Sequence, residues 1–334
     1  MAAYAATLPG ANRAVPNLPL NENMKSRPID VLVYGTVCLD AIWRVEALPE
    51  ADGFAPILDE RTTTGGEAFN TCAALHKWGS TVALAGNPVG ADARGKQLLS
   101  LIERDAPDLD MSYVEVNCDC ATPFCACIAT PDGKRTMFGT GFDAMKSPPP
   151  EKLPLRKARW FTMDPNAWDA GVTAGLAAAA AGCRVVAMDF LDSPAMCSAA
   201  EINLTSSSRL GTNLTRPVLL QKAAELRDRY NKTAIITHGE DGCFVAAAGR
   251  KGAVRMPAMR APEVVDCTGA GDIFRAGLLL GLSSHWPLRE CIWFASGAAA
   301  LNCTAAGGWA GVVSRVETFK FLETAVEHEG LGND

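Results

Sequence analysis

Short apolar runs of strand length alternate along this chain with longer stretches whose apolar positions recur at helical spacing. The first strand signal is Asp30–Tyr34, closing at Gly35. Ala41–Thr64 holds short mixed segments with turn residues at Pro49, Asp52 and Gly53. A helix is predicted after Gly65-Gly66, from about Ala68 to Trp78, stopping at Gly79. Thr81–Ala85 reads as a buried strand, Lys96–Glu103 as a helix, and Pro123–Thr140 as a hairpin turning at Asp132-Gly133. Beyond the break at Pro148–Pro150 come strand Trp160–Met163, helix Trp168–Ala181, strand Arg184–Asp189, helix Val218–Arg229, strand Ala234–Thr237, a hairpin near Gly249, and helices from Gly271 onward. Strands separated by helical patterns predict βαβ units and a mostly parallel sheet covered on both faces. The hairpin-like regions break that alternation and are expected to pair into a small accessory sheet. Ligands of such folds sit beyond the carboxyl ends of the strands, so the glycine-rich turns there are where chemistry is sought.

The strongest such turn is Asp266-Cys267-Thr268-Gly269-Ala270-Gly271-Asp272, leading into the apolar run Ile273-Phe274-Arg275-Ala276-Gly277-Leu278. Small residues at a helix N-terminus let the backbone approach a ligand, and the N–H groups there make an anion site. Asp272 follows in the first turn, where a carboxylate can take the proton from an attacking hydroxyl. Phosphoryl transfer needs this pairing of donors and base. The same residues also spell a plain helix start with an Asp near its cap. Gly65-Gly66-Glu67-Ala68-Phe69-Asn70 is a second glycine turn before a helix, and an amide such as Asn70 can both donate to and accept from sugar hydroxyls. A third turn, Thr237-His238-Gly239-Glu240-Asp241-Gly242, follows a strand and suits a nucleotide's edge; no acidic partner for His238 is fixed by the spacing, so it reads as a spacer. Gly90-Ala91-Asp92-Ala93-Arg94-Gly95-Lys96-Gln97 nearly spells a P-loop, but Gln97 stands where a magnesium-binding hydroxyl is required, and Asn87-Pro88 intervenes before Gly90.

The 334 residues suffice for one large α/β domain, and 48% hydrophobic with 20% charged residues is an ordinary globular balance. A net charge of −6 argues against nucleic acid, which calls for a basic face. No apolar run approaches the ~20 residues of a membrane span. Met1–Pro28 lacks the apolar core of a secretory signal and is expected to be a flexible extension. Twelve cysteines scattered through apolar segments point to reduced thiols in a cytoplasm-like compartment. Cys118, Cys120, Cys125 and Cys127 have spacings that can hold zinc, but Pro123–Thr130 reads as a strand with Cys125 and Cys127 on one face, so free thiols are expected.

Taken together, the motifs resemble one family. Asp266–Asp272 resembles the D-T-T-G-A-G-D signature of the ribokinase-like (PfkB) carbohydrate kinases; Gly65 to Asn70 resembles their G-G-x-x-x-N, Val89 to Gly95 their V-G-x-D-x-x-G loop, Thr237 to Gly242 their nucleotide loop, and Gly35 to Asp40 their first strand with its substrate-binding acid. The matches keep the family's order over roughly residues 30 to 325. The resemblance implies a Rossmann-like α/β/α core with a mostly parallel sheet over residues 29–330, and a small β lid from about 41–64 and 112–142. It implies Asp272 as base and Gly269, Ala270 and Gly271 as anion hole. Asp40, Gly65, Gly66 and Asn70 fall to the phosphoryl acceptor, and Thr237, Gly239, Gly242 and Asn302 to the nucleotide. Asp266 and Thr268 are implied for a monovalent cation such as K+. ATP and Mg2+ are the implied donor and metal, and a homodimer through the lid the implied assembly. Two departures stand out. Cys267 replaces a small hydroxyl residue, and Asn203-Leu204-Thr205-Ser206 ends without the glutamate of the family's N-x-x-E.

A sugar or sugar acid is the expected acceptor, with Lys134 and Arg135 available to meet a carboxylate. A nucleoside kinase would instead use Trp43, Phe54 or Phe69 as a base platform. A third reading is a kinase-like protein that binds without turnover, which the intact Asp272 opposes.

Overall fold

In the computed structural model, which describes residues 26–131, 135–142 and 146–330, the predicted alternation becomes a nine-stranded sheet between two helical layers. The chain runs β1 (Ile29–Gly35), β2 (Cys38–Arg44), β3 (Asp59–Gly65), α1 (Glu67–Lys77), β4 (Val82–Gly86), β5 (Val89–Gly90), α2 (Ala93–Asp105), β6 (Asp110–Tyr113), β7 (Val116–Asn117), β8 (Phe124–Ala129) and β9 (Arg135–Thr140). It continues through β10 (Ala158–Met163), α3 (Trp168–Ala180), β11 (Arg184–Met188), α4 (Pro194–Ala199), β12 (Ile202–Ser206), α5 (Arg216–Tyr230), β13 (Thr233–Thr237), β14 (Cys243–Ala246), β15 (Val254–Met256), α6 (Ala270–Ser283), α7 (Leu288–Asn302) and α8 (Arg315–Gly330). The large sheet has the order β15-β14-β13-β12-β11-β10-β1-β4-β6, and its strands are parallel except where β14 and β15 return antiparallel.

Alternation decides which helix covers which face. On β1, Val31 and Val33 pack into a core shared with α1, α6 and α7, while Leu32 and Tyr34 face the opposite core under α3 and α4. β13 splits likewise, Ile235 toward the first core and Ile236 toward Leu219 and Ala223 of α5. Helix α6 is buried from Asp272 through Ser283, the mark of a core helix. Its N-terminus opens at the carboxyl end of the sheet.

The smaller sheet, β3-β2-β8-β9, is the lid. It begins at Cys38, earlier than expected, and the expected 112–142 stretch is shorter: residues 110–113 join the edge of the large sheet beside β4. The hairpin near Gly249 is β14–β15 and also belongs to the large sheet, because β13 offers it an open edge. The Asp132-Gly133 turn and Lys134 lie outside the described residues, as do residues 1–25 of the expected N-terminal extension. Arg27, at the end of that stretch, donates to the carbonyls of Ala158 and Ala181, both at 2.8 Å.

Candidate active site

Gly269 caps α6 with φ +73°, in the left-handed region, and a Cβ there would land on the carbonyl of Gly308. The turn it makes spends the Ala270 amide on the Cys267 carbonyl at 3.2 Å. Of the three expected anion-hole residues, Gly269 and Gly271 are therefore the ones whose amides meet no acceptor among the described residues. One residue on, Asp272 is buried; its Oδ2 accepts from Asn70 Nδ2 at 3.0 Å and its Oδ1 from Arg275 Nη2 at 3.4 Å. Burial pushes its carboxyl up to about 6, against the pull of Arg275 and the Asn70 hydrogen bond.

Of the residues expected at the acceptor, Asn70 meets Asp272, and Gly65 and Asp40 meet each other. Gly65 ends β3 flat against the carboxylate of Asp40, leaving no room for a side chain. Asp40 accepts from the Cys38 thiol at 3.1 Å, and burial raises its carboxyl to about 6. Asn70 comes from α1 and is buried, its Oδ1 without a partner.

Three charged residues at the same place escaped the sequence reading. Asp164 follows β10 and is fully buried; its Oδ2 accepts from the amides of Thr36 (2.6 Å) and Ala68 (3.2 Å), pinning the carboxyl end of β1 to the start of α1. Arg275, also fully buried, donates through Nε to Thr71 Oγ1 (3.1 Å), through Nη1 to the Met163 carbonyl (2.9 Å) and through Nη2 to the Glu67 carbonyl (2.9 Å). Glu67 opens α1 with Oε2 buried and unpartnered; burial first, then the nearby Asp272 and Asp164 charges, raise its carboxyl to about 8. Their signals were present in the chain: an arginine inside an apolar helical run, an aspartate directly after a strand, and a glutamate directly after two glycines.

The residues expected to meet the nucleotide lie at the carboxyl end of β13 and, for Asn302, at the end of α7. Thr237 ends β13, and the Gly239 to Gly242 turn follows with φ +49° and +90° at its glycines. Asp241, the acidic partner the spacing did not supply, lies 3.8 Å from His238 Nε2, while Nδ1 meets Ser207 Oγ at 2.7 Å. Asn302 is fully buried and donates to the carbonyls of Thr268 (3.0 Å) and Gly308 (3.2 Å), so it ties the turn before α6 to the loop after α7. Asp266 accepts from the Thr268 amide and hydroxyl (2.8 and 2.6 Å) and from the Gly307 amide (3.0 Å). From the lid, Arg135 Nη1 reaches Thr268 Oγ1 at 3.1 Å.

Beside Ser206, where the family's glutamate is absent, a carboxylate comes from the neighbouring strand. Asp189 follows β11 with φ +62°, and its Oδ1 accepts from Thr205 Oγ1 (2.7 Å) and the Ser206 amide (3.0 Å). A carboxylate between two hydroxyl residues is an oxygen donor set that suits Mg2+. The near-P-loop serves another purpose. Asp92 caps α2 by accepting from the Gly95 amide (2.7 Å), and it also accepts from the Thr122 amide (3.0 Å) and hydroxyl (2.7 Å), tying this loop to the base of the lid. Of the four clustered cysteines, Cys125 and Cys127 lie on β8 as free thiols, with Cys118 exposed. Phe69 is buried edge-on to Trp309, and Phe54 stands 89% exposed.

The sequence profile described as pfkB family carbohydrate kinase matches residues 28–313. An uncharacterized sugar kinase of Dictyostelium discoideum is 22% identical over 346 residues, covering 88% of this chain and 97% of the relative. Among solved structures, Arabidopsis thaliana ribokinase complexed with ribose and ATP superposes with a TM-score of 0.73 at 21% identity, over 89% of this chain and 99% of its own. Burkholderia thailandensis nucleoside kinase in complex with inosine gives 0.71 at 22%, over 88% and 96%. Among the described residues no helix is long and apolar enough to cross a membrane.

Proposed function

The chain belongs to the pfkB family of carbohydrate kinases, and from that premise we propose that it transfers the γ-phosphoryl group of ATP to a hydroxyl of a small sugar-like acceptor, with Asp272 as general base. The observation that carries the reading is the placement of Asp272: a buried carboxylate, oriented by Asn70 and Arg275, in the first turn of a helix whose Gly269 and Gly271 amides are free. Asp272 takes the proton as the acceptor oxygen bonds to phosphorus and the bond to the β-phosphate oxygen breaks, releasing ADP. The two amides and the positive end of α6 meet the charge on the transferring group. Arg135, held at Thr268 on this loop, is placed to meet that same charge, a different task from pairing with a sugar acid's carboxylate. Asp189 with Ser206 would hold Mg2+, which would neutralise phosphate charge.

Phe69 is committed to the core and Phe54 to solvent, which leaves Trp43, half-buried on β2 with its Nε1 donating to Glu60, as the one remaining base platform, and the acceptor reading favours polyols. The test is ADP release from ATP with a panel of pentoses, hexoses, polyols and nucleosides. A sugar or polyol should give the highest kcat/KM. A nucleoside exceeding every sugar tenfold would replace this acceptor class, and no ADP release with any acceptor would remove the kinase reading.

A further inference from the structure

The acceptor pocket holds an imbalance of charge. Asp40, Glu67, Asp164 and Asp272 gather around it, the Cys38 thiol lying in the fields of both Asp40 and Asp164, and Glu67 in those of Asp164 and Asp272. Among the described residues, the buried cation facing this group is Arg275, and each of its three nitrogens is already engaged, with Thr71, Met163, Glu67 and Asp272. Arg135 sits across the base, at Thr268. Among the described residues three buried side-chain oxygens have no partner, and two of them belong to this group: Glu67 Oε2, and Oδ1 of Asn70, which is only 4% exposed. Buried polar atoms without partners are expensive, so both ask for a hydrogen bond from whatever fills the pocket.

We propose that Glu67 is the specificity-determining residue of this acceptor site: with Asp40, Asp164 and Asp272 it forms a carboxyl-walled pocket that takes an uncharged polyhydroxyl acceptor and turns away acceptors carrying phosphate or carboxylate. The inference rests on the acceptor-site reading given above. Hydroxyl groups both donate and accept, so they satisfy Asn70 Oδ1 and Glu67 Oε2 in either protonation state of Glu67. A phosphate or carboxylate only accepts. It would meet Asn70 Oδ1 and the carboxyls of Asp40, Asp164 and Asp272, and among the described residues no buried cation is left free to receive it, a juxtaposition that discriminates by repulsion. The raised carboxyl of Glu67 agrees with this crowding: burial and its two acidic neighbours already resist a further negative charge here. Glu67 opens α1 two residues after Gly65, which lies against the Asp40 carboxylate, and its backbone carbonyl accepts from the same Arg275 that meets Asp272, so it stands between the two acids without being part of the proton transfer.

The experiment compares matched pairs, ribose with ribose 5-phosphate, fructose with fructose 6-phosphate, and glucose with gluconate, on the full chain and on Glu67→Gln and Glu67→Lys. The native chain should favour the uncharged member of the best pair by ~10²-fold or more in kcat/KM, and Glu67→Lys should shift that ratio toward the anion by at least ~10-fold, as expected for placing a positive charge close to it. Glu67→Gln, which keeps shape and hydrogen-bonding capacity, should shift it in the same direction by less and shows that the site still folds. An unchanged ratio in both variants, or native preference for the anionic member, overturns the proposal. Thermal protection by the same six compounds with a non-hydrolysable ATP analogue reads binding independently of turnover. If no compound is phosphorylated yet the uncharged members protect the native chain and Glu67→Lys reverses the order, the selectivity stands and the kinase reading alone has failed. Equal protection by both members of every pair overturns the selectivity.

Discussion

The two sides of the first turn of α6 are made of different materials. On the proposed acceptor side the polar groups are buried side chains crowded onto one another, Asp272, Glu67, Asp164 and Asn70 around a single guanidinium. On the donor side they are backbone amides and loops at strand ends, held by cationic side chains more than half exposed, such as Arg216 on Asp241 and Arg209 beside Asp189. The difference follows from what each side must hold. A small acceptor is recognised by enclosure, which raises the cost of every unpaired group. A polyphosphate brings its own charge and needs positioned donors more than enclosure. Perturbing the acceptor side should therefore alter stability, pH dependence and turnover together, whereas perturbing the donor side should alter affinity.

The largest effect is expected at the boundary. Asp272→Asn keeps the volume and loses the base; kcat should fall ~10²–10⁴-fold with ATP-analogue affinity nearly unchanged. In the native chain, activity should disappear on the acid side as pH falls through about 6, because Asp272 must be ionised to accept the proton. The groups that face it are Arg275, Asn70, Asp164 and Arg135, and Glu67 lies in its field. A pH–rate profile flat from 5 to 8, or a variant with near-native turnover, would remove Asp272 from the proton transfer.

Next comes the guanidinium. Arg275→Met leaves Asp272 without its ion-pair partner and Thr71, Met163 and Glu67 without their donor. Removing one partner of a buried pair costs about 3–5 kcal/mol, and denaturant unfolding should show a loss of that order. A change below ~1 kcal/mol would mean the carboxyls are already neutral enough to need no cation. On the donor side, Asp189→Asn should leave the fold intact and raise the Mg2+ concentration for half-maximal activity by ~10-fold or more, the scale seen when groups supporting a metal site are altered. Unchanged Mg2+ dependence would show that Thr205 and Ser206 manage without it.

The contrast also explains what was legible in the chain. The glycine turns declare themselves because Gly269 must adopt positive φ and Gly65 must admit the Asp40 carboxylate, so few other residues fit. The alternation of strands and helices follows from period, which one chain carries in full. What stayed hidden are polar residues in positions whose pattern says apolar. Strand β12 was invisible because Asn203 and Thr205 point inward, Asn203 to the Cys197 carbonyl and Thr205 to Asp189. Arg275 reads as a lone charge in an apolar helix until Glu67 and Met163, 208 and 112 residues away, supply its acceptors. Asp189 meets Ser206 from a neighbouring strand, which is a relation in space with no spacing to betray it. Partners chosen by packing leave no local trace, and the proposed acceptor site is built mostly of them.

The smallest expected effect is on stability, at Glu67. Its carboxyl titrates near 8 in the folded chain against an ordinary value of 4.5, so the folded state holds its proton more tightly than the unfolded state. Below pH 4.5 both states are protonated and the group's contribution to stability is fully present. Between 4.5 and 8 the unfolded chain ionises while the folded chain resists, and that contribution drains away as pH rises. Glu67→Gln has no proton to lose. Its Tm relative to the native chain should therefore climb from pH 5 to pH 9, by about 2 °C for each kcal/mol of penalty relieved. The groups setting the penalty are Asp272 and Asp164, opposed by Arg275, so Glu67→Gln placed on an Asp272→Asn background should show a smaller climb, since one of the repelling charges is gone. A Tm difference that stays constant across this range would mean that solvent reaches the Glu67 carboxyl freely, and the crowding that sets the acceptor side apart from the donor side would then have to rest on Asp164 and Asp272 alone.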